Sequence, residues 1–240
     1  MGANVNLLSI YDVLLSKYNN QNWWPGDTPF EVIIGAILTQ CVSWINVEKA
    51  IKNLKDVGIL EPGKLNKKEI SEIAPFIKST RFYNEKANKI KNFMDFFFDE
   101  YDGSIQKMSE EELILLRQKL LKIKGLGEET VDSILLYACN KLVFVIDAYT
   151  KRIFSRYGFI NETASYSDVQ VFFMNNLPQD IKLYNDFHAQ IVHLGKNICK
   201  PLPECNLCPI RELNDKIKCR YADNNIYTAS SSAKKMRKKE

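Results

Sequence analysis

Apolar side chains recur along this chain at the spacing of one helix face. Val47, Ala50, Ile51 and Leu54 follow the i, i+3, i+4, i+7 rule. Ile70, Ile73 and Ile77 continue the pattern, as do Ala87, Ile90, Phe93 and Phe96 to Phe98. Leu113, Leu116, Leu120 and Ile123 predict one helix; Val131, Ile134, Leu135 and Ala138 predict another close behind it. Val169 to Met174, then Phe187, Ile191 and Leu194, close the series, while Ile33, Ile34, Ala36, Ile37 and Leu38 form a denser helical run. Only Leu142-Val143-Phe144-Val145-Ile146 has strand-like composition, and one short run cannot make a sheet. Breakers fall between the periodic segments at Pro25-Gly26-Asp27, Glu61-Pro62-Gly63, Asp102-Gly103-Ser104 and Pro201 to Pro203. The pattern predicts an all-α fold of about ten helices. From about residue 223 the chain turns to Asn, Ser and Lys and reads as a disordered basic tail, 223–240.

A chain of 240 residues suits one large domain or two smaller ones. Apolar residues at 45% and charged residues at 26% exclude disordered, collagenous and coiled-coil classes. The longest apolar runs fall far short of the roughly 18 to 20 residues that cross a bilayer, so no membrane partner is expected. The first residues carry neither a signal-peptide nor a myristoylation pattern, and an intracellular location is the expectation. The net charge of +4 leans toward an anionic partner. The last seven residues, Lys234 to Glu240, hold five bases and one acid and so carry all of it. The rest of the chain is neutral overall, and any positive charge that meets a partner there must be local.

Two short segments carry candidate chemistry. Lys124-Gly125-Leu126-Gly127 joins two predicted helices by a connection that allows only a tight helix pair. Two glycines permit positive φ and leave backbone N–H groups uncovered, and with the N-terminus of the next helix they cradle an anion such as a phosphate. Lys122 and Lys124 flank the turn. A plain helical hairpin would also use glycines as caps. Asp147 follows the buried-looking run Val143 to Ile146 and precedes a helix, which suits an N-cap, a carboxylate held at a cleft, or both.

Cys199, Cys205, Cys208 and Cys219 form C-x5-C-x2-C-x10-C, framed by Pro203 and Pro209. Four thiols so close suit a structural zinc or a [4Fe-4S] cluster, and spacing alone does not separate them. Lys196, Lys200, Arg211, Lys216, Lys218 and Arg220 surround them and would grip a phosphate backbone without sequence preference. His188 and His193, at i and i+5, are poorly spaced for a shared metal and read as polar residues of the helix leading to Cys199.

Phe30 to Gln40 (FEVIIGAILTQ), Phe82-Tyr83-Asn84-Glu85-Lys86-Ala87, Ile123 to Thr130 (IKGLGEET), Val145-Ile146-Asp147 and the terminal cysteines occur in one collinear order. Together they resemble the helix-hairpin-helix (HhH-GPD) DNA glycosylases of the endonuclease III superfamily, over about residues 22 to 220. The resemblance implies a two-lobed fold. A six-helix barrel, 25–138, would carry the hairpin at about 112–139; a second helical domain, 1–24 plus 139–222, would carry a [4Fe-4S] loop at 199–219, and the last cysteine spacing is longer than the family's usual one. The resemblance tips the cysteines toward iron–sulfur over zinc and makes the partner double-stranded DNA with a damaged base, bound by a monomer.

It also implies roles for single residues. Asp147 would be the catalytic carboxylate beside the sugar. Bifunctional members carry a Lys in the first turn after the hairpin as imine-forming nucleophile; here that position is Glu129, and a carboxylate cannot form an imine. A monofunctional glycosylase follows. Gln40 would enter the space left by the flipped nucleotide, Phe82 would wedge against the opposite strand, and Lys122, Lys124, Gly125 and Gly127 would hold the backbone. Trp23, Trp24 and Trp44, with Glu129, would form the base pocket. This set is similar to the endonuclease III-related 3-methyladenine DNA glycosylases, and indoles favour a cationic alkylated purine. Uracil or oxidised bases, a bifunctional lyase, and a DNA-binding protein without excision are the competing readings.

Overall fold

A computed structural model describes residues 6–211, 213 and 219. The basic tail, the N-terminal segment before Asn6, and Lys216, Lys218 and Arg220 lie outside the described residues. Among the described residues the fold is all helical, as the periodicity predicts, and it divides into two compact bodies.

The first body comprises Trp24–Val145 and Asp180–Asn185. Its centre is α2 (Pro29–Leu38), in which every residue from Phe30 to Leu38 is buried. Thr28 caps it by accepting from the Glu31 N–H, and Pro29 needs no hydrogen bond at the first helical position. A helix apolar on all sides must be covered on all sides. Around it pack α3 (Trp44–Asp56), the long α6 (Tyr83–Tyr101) and α9 (Glu128–Ser133), which runs on into a π-helical turn, Ile134–Ala138. Short helices α4 (Pro62–Asn66) and α5 (Ile70–Ile73), a 3₁₀ segment Ala74–Thr80, and α7 (Ile105–Glu110) and α8 (Leu113–Leu121) complete this body. Glu31, buried in α2, is matched by the Lys55 ammonium at 2.7 Å.

The second body takes the chain up to Trp23, Ile146–Gln179, and the chain from Asp186 on. It holds α1 (Leu7–Tyr18), α10 (Ala148–Arg156), α11 (Tyr166–Asn176) and most of α12 (Ile181–Asn197). Phe154 meets Phe173 edge-to-face at 4.7 Å, and Phe187 packs on both and on Tyr11. Ser165 and Asp168 close a reciprocal capping box on α11. Leu142 to Ile146 forms no strand, and Val143 to Ile146 are at most 3% exposed. The strand-like composition therefore reflects burial.

Candidate functional site

The hairpin lies between α8 and α9. Ile123 and Leu126 are buried, and they anchor the turn so that Lys122, Lys124, Gly125 and Gly127 stay exposed. Only Gly125 has positive φ, +98°. A Cβ there would stand 2.6 Å from the Lys89 side chain, so both conformation and space require glycine. Gly127 is the N-cap of α9 at φ −98°, and nothing lies within 4 Å of where its Cβ would be. Its lack of a side chain leaves room for something approaching from outside. Arg117 of α8 forks onto Asp132 at 2.7 and 3.1 Å and reaches Glu128 at 3.4 Å, which fixes the two hairpin helices together.

Two further elements brace the turn. From α6, Asn92 donates to the Lys124 carbonyl at 2.9 Å, and Lys89 donates to the Gln40 side-chain oxygen. Gln40 in turn donates through Nε2 to Thr130 Oγ1 at 2.9 Å and to the Gly125 carbonyl at 3.2 Å. Gln40 is thus folded onto the hairpin. The Gly125 carbonyl is engaged by this contact, and within the turn the Leu126 N–H donates to the Ile123 carbonyl at 3.1 Å.

Trp24 and Trp44 come together with ring centroids 5.1 Å apart at 87°, an edge-to-face pair, and Trp24 also meets Tyr137 of the π turn. Gly35 of α2 makes this possible, because a Cβ there would touch the Trp24 indole nitrogen at 3.3 Å. The two indoles line a cleft of about 290 Å³ with Gly35, Glu31, Glu48 and Lys55. Trp44 donates its indole N–H to Glu48 at 2.7 Å. Trp23 belongs to the second body, and neither it nor Glu129, exposed in the first turn of α9, lines this cleft. Phe82 is 65% exposed and sits, with Arg81, at positive φ (+43° and +54°). Two consecutive left-handed non-glycine residues are costly and aim the ring outward from the start of α6.

Asp147 is the N-cap of α10. Its Oδ1 accepts from the Thr150 N–H at 2.7 Å and the Thr150 hydroxyl at 2.8 Å. Its Oδ2 lies 3.7 Å from Nε2 of His188, beyond hydrogen-bond length, and both side chains are buried. Burial pulls the His188 pKa below the usual histidine range against the opposing pull of Asp147, so the ring is neutral at physiological pH. Sequence reasoning left His188 as an ordinary polar residue. A signal was present: His188 shares a helix face with Gly195, which lies against Tyr149 of α10.

All four cysteines line one cavity with Arg156, Tyr157 and Arg211. As placed, no three carboxylate, imidazole or thiol groups among the described residues stand at metal-binding spacing. The donor set nevertheless fits a metal cluster, since four thiols surround one void. Burial raises the Cys205 and Cys208 thiols and Cys199 raises both further, while Arg156 and Arg211 pull Cys205 the other way. Arg156 donates to Cys199 Sγ at 3.2 Å and to the Lys200 and Pro201 carbonyls; Arg152 donates to the Cys199 and Gly195 carbonyls at 2.8 Å. These two arginines hold the cysteine loop onto α10. The loop's carbonyls have no helix or sheet partner and claim them.

Residues 34–179 match the family model described as HhH-GPD superfamily base excision DNA repair protein. MJ1434 of Methanocaldococcus jannaschii, provisionally named a DNA repair glycosylase, is 45% identical over 208 residues, 86% of this chain and 94% of that protein. Endonuclease III of Thermotoga maritima is 29% identical over 75% of this chain and 79% of its own length. Among solved structures, the H. pylori 3-methyladenine DNA glycosylase (MagIII) bound to 1,N6-ethenoadenine superposes with a TM-score of 0.72 at 30% identity, over 80% of this chain and 98% of that one. An endonuclease III–DNA covalent intermediate shares the fold, with a TM-score of 0.78 at 21% identity over 94% of this chain and all of that one.

The two hairpin glycines make separable predictions. Gly125→Ala should cost about 1–2 kcal/mol for forcing a side chain into the left-handed region, read as a fall of a few degrees in Tm. Gly127→Ala should cost less than about 1 kcal/mol, the scale of a modest cap change. Equal Tm losses would contradict the assignment of Gly125 as the strained position.

A glycine-pinned hairpin, a capping aspartate and four gathered cysteines, matched along most of the chain, lead to one assignment: the protein belongs to the HhH-GPD superfamily of base excision DNA repair proteins.

Proposed function

We propose that this protein is a monofunctional DNA glycosylase that hydrolyses the N-glycosidic bond of a damaged base flipped out of duplex DNA, with alkylated purines such as 3-methyladenine as its substrate class. The observation that carries the reading is Asp147, a buried carboxylate with one oxygen fixed on the start of α10 and the other beside a neutral histidine. As the base departs, positive charge develops on the deoxyribose. A preorganised carboxylate stabilises that charge and can orient or deprotonate the attacking water. Glu129 holds the position where an amine nucleophile would form an imine, so hydrolysis would end at an abasic site.

The rest of the chain supplies binding. Amides of the Lys124–Gly127 turn would take a backbone phosphate, with Lys122 and Lys124 beside it. Flipping costs a few kcal/mol of unstacking and unpairing. Phe82, already exposed on a strained backbone, suits a wedge, and Gln40 suits the vacated space once it leaves Gly125 and Thr130. The Trp24–Trp44 cleft favours a cationic base through its indoles, while Lys55 already neutralises Glu31 in its wall. That a solved relative at 30% identity is named a 3-methyladenine DNA glycosylase supports the same class.

Cys199, Cys205, Cys208 and Cys219 would hold a [4Fe-4S] cluster, whose contribution is to fix the loop and its basic residues against the DNA backbone. Protein isolated without oxygen should be brown and carry about four irons per chain. Stoichiometric zinc without iron would overturn this.

Asp147→Asn tests the chemistry, because Asn can still accept from Thr150 and cap α10. Single-turnover base release from duplexes carrying 7-methylguanine, ethenoadenine, uracil or 8-oxoguanine should fall at least about 100-fold, the scale of removing one preorganised electrostatic group. Duplex affinity should stay within about threefold. Near-normal release by the variant would remove Asp147 from its role. Wild-type protein with intact cluster releasing none of these bases would leave only a DNA-binding function.

A further inference from the structure

The loops that carry Gln40 and Phe82 share one buried lysine. Lys86, on the first turns of α6, is 2% exposed. Its ammonium donates to the Leu38 carbonyl at 2.7 Å and to the Thr80 carbonyl at 2.6 Å. Leu38 ends α2 two residues before Gln40, and Thr80 ends the 3₁₀ segment two residues before Phe82. Both carbonyls stand at helix ends, where backbone acceptors lack helical partners and the local dipole favours a cation. One turn further along α6, Lys89 holds the Gln40 side chain, so the same helix grips this loop twice.

A buried ammonium is an expensive way to fill space. Burial lowers the Lys86 pKa to about 8, nearby Lys89 pushes the same way, and Cys41 opposes them weakly. Replacing a buried charge with an apolar side chain of similar size is often harmless or stabilising when the partners are also satisfied. What an apolar chain cannot do here is bind two loop ends to one point.

We propose that Lys86 is a positioning residue that couples the Gln40 loop to the Phe82 turn, so that filler and wedge enter the duplex as one preset pair. This rests on the roles given to Gln40 and Phe82 in the glycosylase reading. Extrusion has a cost in unstacking and unpairing that the two insertions must offset together. Loops that had to be ordered separately would add the conformational entropy of every residue fixed during the step. The Phe82 turn has a particular need of the anchor, since positive φ at both Arg81 and Phe82 persists only where the surroundings enforce it.

The test is Lys86→Met, which keeps length and burial, assayed on dimethyl-sulfate-treated DNA as duplex and as single strand. Only the duplex requires extrusion. The variant should lose at least about tenfold in single-turnover release of methylated purine from duplex, less than twofold from single strands, and Lys86→Arg should restore most of the duplex rate. Equal loss on both substrates, or none on the duplex, overturns the proposal. Hydrogen exchange on the unliganded full chain gives a second readout that needs no activity: Lys86→Met should speed exchange at both 38–42 and 80–84 while leaving 125–131 unchanged. Loosening of one loop or neither overturns the coupling. If Met proves insoluble, Lys86→Gln is read against the same outcomes. Wild-type protein that releases no base from either substrate indicts the glycosylase reading, and the exchange measurement still decides the clamp.

Discussion

The start of α10 is the constraint on which the second body depends. A single aspartate accepts the Thr150 amide and hydroxyl through Oδ1, which fixes that oxygen on the first turn of the helix. Everything the helix carries is thereby placed. Arg152 and Arg156 follow one turn apart and Tyr157 closes the helix; they reach the Cys199 carbonyl, the Cys199 sulfur and the Ile210 carbonyl. The carboxylate proposed for chemistry and the loop proposed for a cluster are therefore two ends of one rigid element. Arg152 and Arg156 thus tie the cysteine loop to the helix that Asp147 starts.

The first body solves a different problem, that of presenting small polar probes from a closed apolar core. Its α2 is buried on every side, and its C-terminal end emerges where Gln40 can be placed. The hairpin, the Gln40 loop and the Phe82 turn are each too short to hold a shape alone. They are held from α6, by Lys86, Lys89 and Asn92. Backbone strain at Arg81 and Phe82 collects at these points, as it does where surrounding structure overdetermines a functional surface.

Much of this was legible in the sequence, for physical reasons. Helical periodicity reports burial on one face, so the all-α class and most helix positions follow from Val47–Leu54 or Leu113–Ile123 alone. Asp147 as a cap, Gly125 at positive φ, and four cysteines around one void were readable because local geometry dictates them. Long-range contacts were not. Nothing local says that Lys86 points inward to two carbonyls, that Gln40 lies on Thr130, or that His188 stands opposite Asp147. Charge ordinarily predicts exposure, so nothing local says that Arg152 and Arg156 turn onto the carbonyls of the cysteine loop. The strand-like run misled for a related reason, since composition records burial without recording pairing.

The central claim is that a carboxylate, with no lysine after the hairpin, makes this a hydrolase of the glycosidic bond and not a lyase. One reaction tests it most directly. A duplex with a single 7-methylguanine, incubated with the intact protein and borohydride, is followed at once for free base and for the DNA strand. The account predicts free base, an uncut strand with an abasic site, and no covalent protein–DNA complex. Strand scission in step with base release, or a trapped covalent complex, would contradict it.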